Sequence, residues 1–108
     1  MKRATVLILG CLLALTVAGV AFGATTKTVR IKDIDFSPSA LTIKKGDSVT
    51  WRFLDGDTPH NVTSQGAKRF KSSATKHSGS YTVRFTKAGT FSYVCTIHAG
   101  MKGKVVVR

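Results

Sequence analysis

Acidic residues are scarce in this 108-residue chain: there are five, against 17 lysines and arginines. They are Asp33, Asp35, Asp47, Asp55 and Asp57, so no acidic side chain follows residue 57. Residues 24–57 carry six basic residues beside those five acids, whereas residues 58–108 carry nine basic residues and no acid. A field of that sign favours an acidic partner, an anionic membrane surface or a nucleic acid. Its plainer meaning is a solvated surface that keeps a small protein soluble. Cysteine is almost absent too. Of the two, Cys11 and Cys95, only Cys95 lies outside the N-terminal apolar stretch, which excludes an internal disulfide. Beyond residue 24 no run of apolar residues repeats with a helical period, which excludes a helical bundle.

The apolar stretch reads as a targeting segment. Lys2 and Arg3 form a positive start, Ala4–Thr26 is 23 residues without a charge, and Ala21-Phe22-Gly23 is a small-x-small cleavage signal. Residues 1–23 are therefore a signal peptide or, uncleaved, an N-terminal membrane anchor long enough to span a bilayer. Residues 24–108 form one domain with a modest core, a size at which a metal or disulfides often supplement stability. Either way the domain is expected outside the cytoplasm, periplasmic or extracellular, where a leftover cysteine needs an explanation.

What is present in the domain is alternation. Val29 and Ile31, then Leu41 and Ile43, then Val49, Trp51 and Phe53, then Tyr81, Val83 and Phe85, then Phe91, Tyr93 and Cys95 each place apolar side chains on one face. Val105–Val107 closes the chain as a further strand. Lys45-Gly46-Asp47 and Lys87-Ala88-Gly89 are turns between them. The fold class is all-β, with about seven to eight short strands in a β-sandwich or small barrel. Gln65–Ser80 is polar and reads as a long surface loop with an irregular turn around Phe70.

The chemistry concentrates in Tyr93-Val94-Cys95-Thr96-Ile97-His98-Ala99-Gly100-Met101. A thiolate, an imidazole and a thioether recur at three-residue intervals, and a strand ending at Cys95 followed by a tight loop can turn all three toward one point. Gly100 permits backbone angles that other residues avoid. His60, in Thr58-Pro59-His60-Asn61, offers a second imidazole. Two imidazoles and a thiolate with a weak axial thioether are the ligands of blue-copper electron-transfer sites.

At these residues the chain resembles the cupredoxins of plastocyanin and amicyanin type. Asp35-Phe36-Ser37-Pro38, Gly46-Asp47-Ser48-Val49-Thr50-Trp51, Pro59-His60-Asn61-Val62 and Gly89-Thr90-Phe91-Ser92-Tyr93-Val94-Cys95 carry the resemblance, and the Cys-x2-His-x2-Met spacing is similar to the short amicyanin loop. Ala99-Gly100 departs from it, because proline often follows the second histidine there. The resemblance implies a Greek-key sandwich and one type 1 copper ion held by His60, Cys95, His98 and Met101. It implies that Asn61 ties its loop to the segment bearing Cys95, a kind of contact that orients ligands. It also implies a one-electron carrier. Because the His98 loop is expected at one end of the sandwich, electrons are expected to leave at the edge of His98, through an apolar patch formed with Pro59, Ile97, Ala99 and Met101.

The expected partner is a redox protein with an acidic docking surface. No nucleic acid is expected, the domain is expected to be a monomer, and the membrane is touched only through residues 4–24 if they stay uncleaved. Copper(I) storage or delivery is the alternative function for the same ligands. A thiol hydrolase built on Cys95 and a histidine lacks a Gly-rich oxyanion segment, so no enzyme is expected. His77 reads as exposed, and Asp55-Gly56-Asp57 as a turn, since the later ligands of a calcium loop are missing.

Overall fold

A computed structural model describes residues 23–108, and the leader expected over residues 1–23 lies, except for Gly23, outside the described residues. Eight strands follow in order: β1 (Thr26–Ile31), β2 (Phe36–Ser37), β3 (Ala40–Ile43), β4 (Ser48–Phe53), β5 (Thr63–Gln65), β6 (Ser80–Arg84), β7 (Gly89–Val94) and β8 (Lys102–Val107). They form two four-stranded mixed sheets, β2-β1-β4-β6 and β3-β8-β7-β5. Strands β1 and β4 run parallel, as do β3 and β8; the other pairs are antiparallel. The all-β reading holds, and among the described residues no helix is long and apolar enough to cross a membrane.

Alternation explains the register. Val29 and Ile31 of β1 face inward beside Val49, Trp51 and Phe53 of β4, and Phe91 and Tyr93 of β7 lie beside Val105 and Val107 of β8. The inner faces of the two sheets meet in one continuous core. Trp51 is fully buried at its centre, edge-on to Tyr93 at 5.3 Å and stacked on Phe70 at 5.7 Å. The segment expected as a surface loop over Gln65–Ser80 therefore differs in three respects, the first being that Ser80 opens β6. Gln65 completes β5, and Phe70 folds back onto the core because its ring finds the indole face. Tyr81 and Val83 are only half-buried, as suits the edge strand β6.

The strand directions give the sandwich two distinct ends. Strands β1 and β4 both start at one end, with Thr26 beside Ser48, and finish at the other, with Ile31 beside Phe53. Strand β7 runs from Gly89, opposite Val107, to Val94, opposite Lys102. Hence the β4–β5 connection, which carries His60, and the β7–β8 connection, which carries Cys95, His98 and Met101, emerge at the same end. The turns 44–47 and 85–88 lie at the opposite, basal end.

Candidate metal centre

The β7–β8 hairpin is closed by its own backbone: Cys95 N donates to Met101 O at 2.9 Å and Met101 N to His98 O at 3.2 Å. Gly100 has φ of +80°, the left-handed region that glycine adopts without strain. That turn folds His98 back, so its Nδ1 lies 3.5 Å from Cys95 Sγ. From the other connection His60 enters with Nδ1 3.8 Å from the same sulfur. The two imidazole rings are 4.7 Å apart at 50°. One donor atom from each of His60, Cys95 and His98 lies within 4.8 Å of the others. Cys95, His60 and Met101 are buried, whereas His98 keeps one part at the surface. Pro59, Ile97 and Ala99 are exposed at this end, Ile97 at 49%.

The surrounding hydrogen bonds hold the two loops in register. Asn61 is buried, and its Nδ2 donates to Thr96 Oγ1 at 2.8 Å and to Thr75 Oγ1 at 3.0 Å. Its Oδ1 accepts from Thr96 N at 3.1 Å and from the Thr63 hydroxyl at 2.7 Å. One carboxamide thus joins the His60 loop to the residue after Cys95. Lys76 adds a backbone bridge to His60, donating to His60 O and accepting from His60 N.

Asp55 is the residue that sequence reasoning missed. Its turn is where it was expected, but the carboxylate has a role beyond the turn. Asp55 Oδ2 lies 2.8 Å from His60 Nε2 and accepts from Ile34 N at 3.0 Å, while Oδ1 accepts from Asp33 N at 3.0 Å. Asp33 and Ile34 both have φ of 55°, which aims two successive amides at one anion. For a β-branched residue such as Ile34 that backbone is strained. The bond to His60, with the Ile34 amide second, holds the Asp55 carboxyl down at about 2. With Nε2 engaged by the carboxylate, His60 is left with Nδ1, the nitrogen facing Cys95, for a metal. The only sequence signal was an aspartate five residues before a candidate ligand.

The donor chemistry fits copper: a thiolate and a thioether suit Cu(I), and imidazoles suit Cu(II). His60, Cys95, His98 and Met101 are arranged like a type 1 copper site. The fold points the same way. A novel purple cupredoxin from Nitrosopumilus maritimus superposes with a TM-score of 0.68 at 25% identity, over 76% of this chain and 99% of that one. A reduced, Cu(I) form of an amicyanin variant gives a TM-score of 0.68 at 34% identity, over 82% of this chain and 86% of that one. The sandwich with this donor cluster defines a cupredoxin.

At the level of sequence, the model of the copper-binding proteins of the plastocyanin/azurin family matches residues 24–108, and the chain belongs to that family. Amicyanin of Paracoccus denitrificans is 39% identical over 94 residues, 83% of this chain and 70% of that protein. Chloroplastic plastocyanin of Tetradesmus obliquus is 39% identical over 85 residues, 68% of this chain and 58% of that protein. A copper-containing nitrite reductase from Thermus scotoductus shares the fold at a TM-score of 0.69 and 27% identity, over 87% of this chain but only 25% of its own.

Proposed function

We propose that the chain is an exported one-electron carrier, not an enzyme, with one copper ion held by His60, Cys95, His98 and Met101. The observation that carries the reading is the convergence of three donor atoms from two loops within 4.8 Å, inside a domain whose relatives include amicyanin and plastocyanin. Copper bound there supplies one-electron chemistry between Cu(I) and Cu(II). Every other part of the role falls to side chains of the chain. Asn61 and Asp55 fix the two loops, so that the donors change position little between oxidation states. Met101 and the buried Cys95 exclude water from one side of the cluster. His98 reaches the surface among Pro59, Ile97 and Ala99, so its edge is the proposed exit for the electron and that apolar rim the proposed contact with the partner.

The proposed cellular setting is periplasmic or extracellular, following from the leader, with the domain acting as a monomer. The proposed redox partner has an acidic docking surface. Lys102, directly after Met101, and Lys76, bridged to His60, are the cations it would meet beside the site. Transfer rates to such a partner should fall as salt is added.

The direct test is an absorption spectrum after one equivalent of Cu(II), repeated on Cys95→Ser. An intense orange-red band, bleached by a reductant and absent in the variant, is the expected result. Folded protein without that band overturns the carrier reading and brings Cu(I) delivery forward.

A further inference from the structure

The end of the sandwich opposite the donor cluster gathers cations with few acids among them. Lys27, Lys44, Lys45, Arg84 and Arg108 line a shallow basin of about 690 Å³ there, together with Gly23–Thr25 and the Thr42–Asp47 segment. Lys87 lies in the adjoining turn between Arg84 and Gly89, and the stem of Lys68 packs against Gly89. Asp47 is the one acid of this end. Its carboxylate is occupied, accepting from Thr25 N at 2.9 Å and Lys44 N at 3.0 Å. The other four acids, Asp33, Asp35, Asp55 and Asp57, follow the far ends of β1 and β4, beside the donor cluster.

Two of the basal cations are held in place. Arg84 Nε donates to Gly46 O at 3.1 Å, and Lys27 Nζ to Thr42 O at 2.8 Å. The chain itself enters the domain inside this basin. Asp47 grips the Thr25 amide, and Thr25 O accepts from Ser48 N at 2.9 Å. The uncharged stretch Ala4–Thr26 therefore ends at the centre of a ring of lysines and arginines.

We infer that this basal ring is a docking surface for a bilayer bearing anionic phospholipid headgroups. Charge complementarity selects the occupant, and the point at which the apolar stretch meets the domain selects a bilayer over other anions. Each lysine or arginine near an anionic membrane strengthens binding roughly fivefold, and salt weakens it. The donor cluster would stand about one six-residue strand, roughly 20 Å, above the lipid, leaving the edge of His98 free for a partner. The inference goes beyond the copper site and does not depend on it.

The test uses residues 24–108, which contain all eight strands and the whole described core, and whose fold matches a cupredoxin chain over 99% of its length. Sedimentation with phosphatidylcholine vesicles containing phosphatidylglycerol is compared with sedimentation on phosphatidylcholine alone. The triple variant Lys44→Glu, Lys45→Glu, Arg108→Glu is set against Lys71→Glu, Lys102→Glu, Lys104→Glu, which changes the net charge equally away from the base. The expected result is binding to the anionic vesicles alone, weakened at least about a hundredfold by the basal triple and less than about tenfold by the other. A glutamine version of each triple separates loss of the cations from misfolding, read by circular dichroism. Equal loss in both triples, or equal binding to both vesicles, overturns the inference.

Discussion

The two ends of the sandwich spend their polar groups differently. At the copper end Asp55 and Asn61 turn toward the site and bond side chains: Asp55 to His60, and Asn61 to Thr96 and Thr75. At the basal end the ionisable side chains face outward, and the one buried acid, Asp47, bonds only backbone amides. An inward polar network costs desolvation and gains fixed geometry. An outward ring costs little and gains a long-range field. The copper end combines that fixed geometry with the cations Lys76 and Lys102 beside it, whereas the base presents cations without an inward network.

Copper loading should sharpen that contrast most. A ligand that binds only the folded state stabilises it by about 4 kcal/mol at a thousandfold excess over its dissociation constant. Removing copper with a chelator should therefore lower the melting temperature. In hydrogen exchange, protection should fall around residues 55–61 and 95–101 while the amides of Ser48 and Val107 change least. Uniform loss along the strands would break the comparison.

Gly103 should give the next largest effect, since it lies between the two ends. A Cβ there would meet the Tyr93 ring and hydroxyl at 2.5 Å. Tyr93 is fixed by Phe36, Trp51 and Phe70 and has little room to yield. Gly103→Ala should cost about 1–3 kcal/mol in urea unfolding, the usual range for overpacking. Because Tyr93 lies two residues before Cys95, the orange-red band should also shift. An unchanged band would mean that the core and the donor cluster are mechanically separate.

Asp55→Asn should come third. It keeps the shape and removes the charge that holds His60 Nε2. Loss of such a partner typically costs 10–100-fold in metal affinity, read by competition with a chelator. The reduction potential should rise, because the carboxylate favours the more positive copper state. Asp57→Asn, in the same turn but bonded to no ligand, should change neither quantity.

These residues also show what could be read in advance. Cys95, His98 and Met101 fall within seven residues, so their convergence needs only one tight turn and is visible in the sequence. Strands β1, β4 and β7 are six residues each, long enough for alternation to show. Strands β2 and β5, with two and three residues, are too short for any pattern and exist because their neighbours pair with them. Asp55 was opaque because its role depends on the amides of Asp33 and Ile34, some twenty residues away. The placement of charge in space was opaque for the same reason. Counting along the chain put the acids in one half and the proposed ligands in the other, but folding carries four of the five acids to the copper end.

The smallest expected effect separates the ends by pH. Both carboxylates are lowered from the ordinary value of 3.8: Asp55 to about 2 by the bond to His60, and Asp47 by the amides of Thr25 and Lys44. A depressed folded-state value means that each contribution is fully present above about pH 4, the ordinary aspartate range, and is lost as pH falls through the folded value. Asp47 holds two amides, whereas Asp55 holds two amides and an imidazole, so the basal latch should release first. In an acid titration followed by NMR, the amides of Thr25 and Lys44 should move at higher pH than those of Asp33 and Ile34. Asp47→Asn should abolish the first movement and leave the second. A single shared midpoint, or the reverse order, would show that the carboxylates respond to one global unfolding event and that the two ends are not independent.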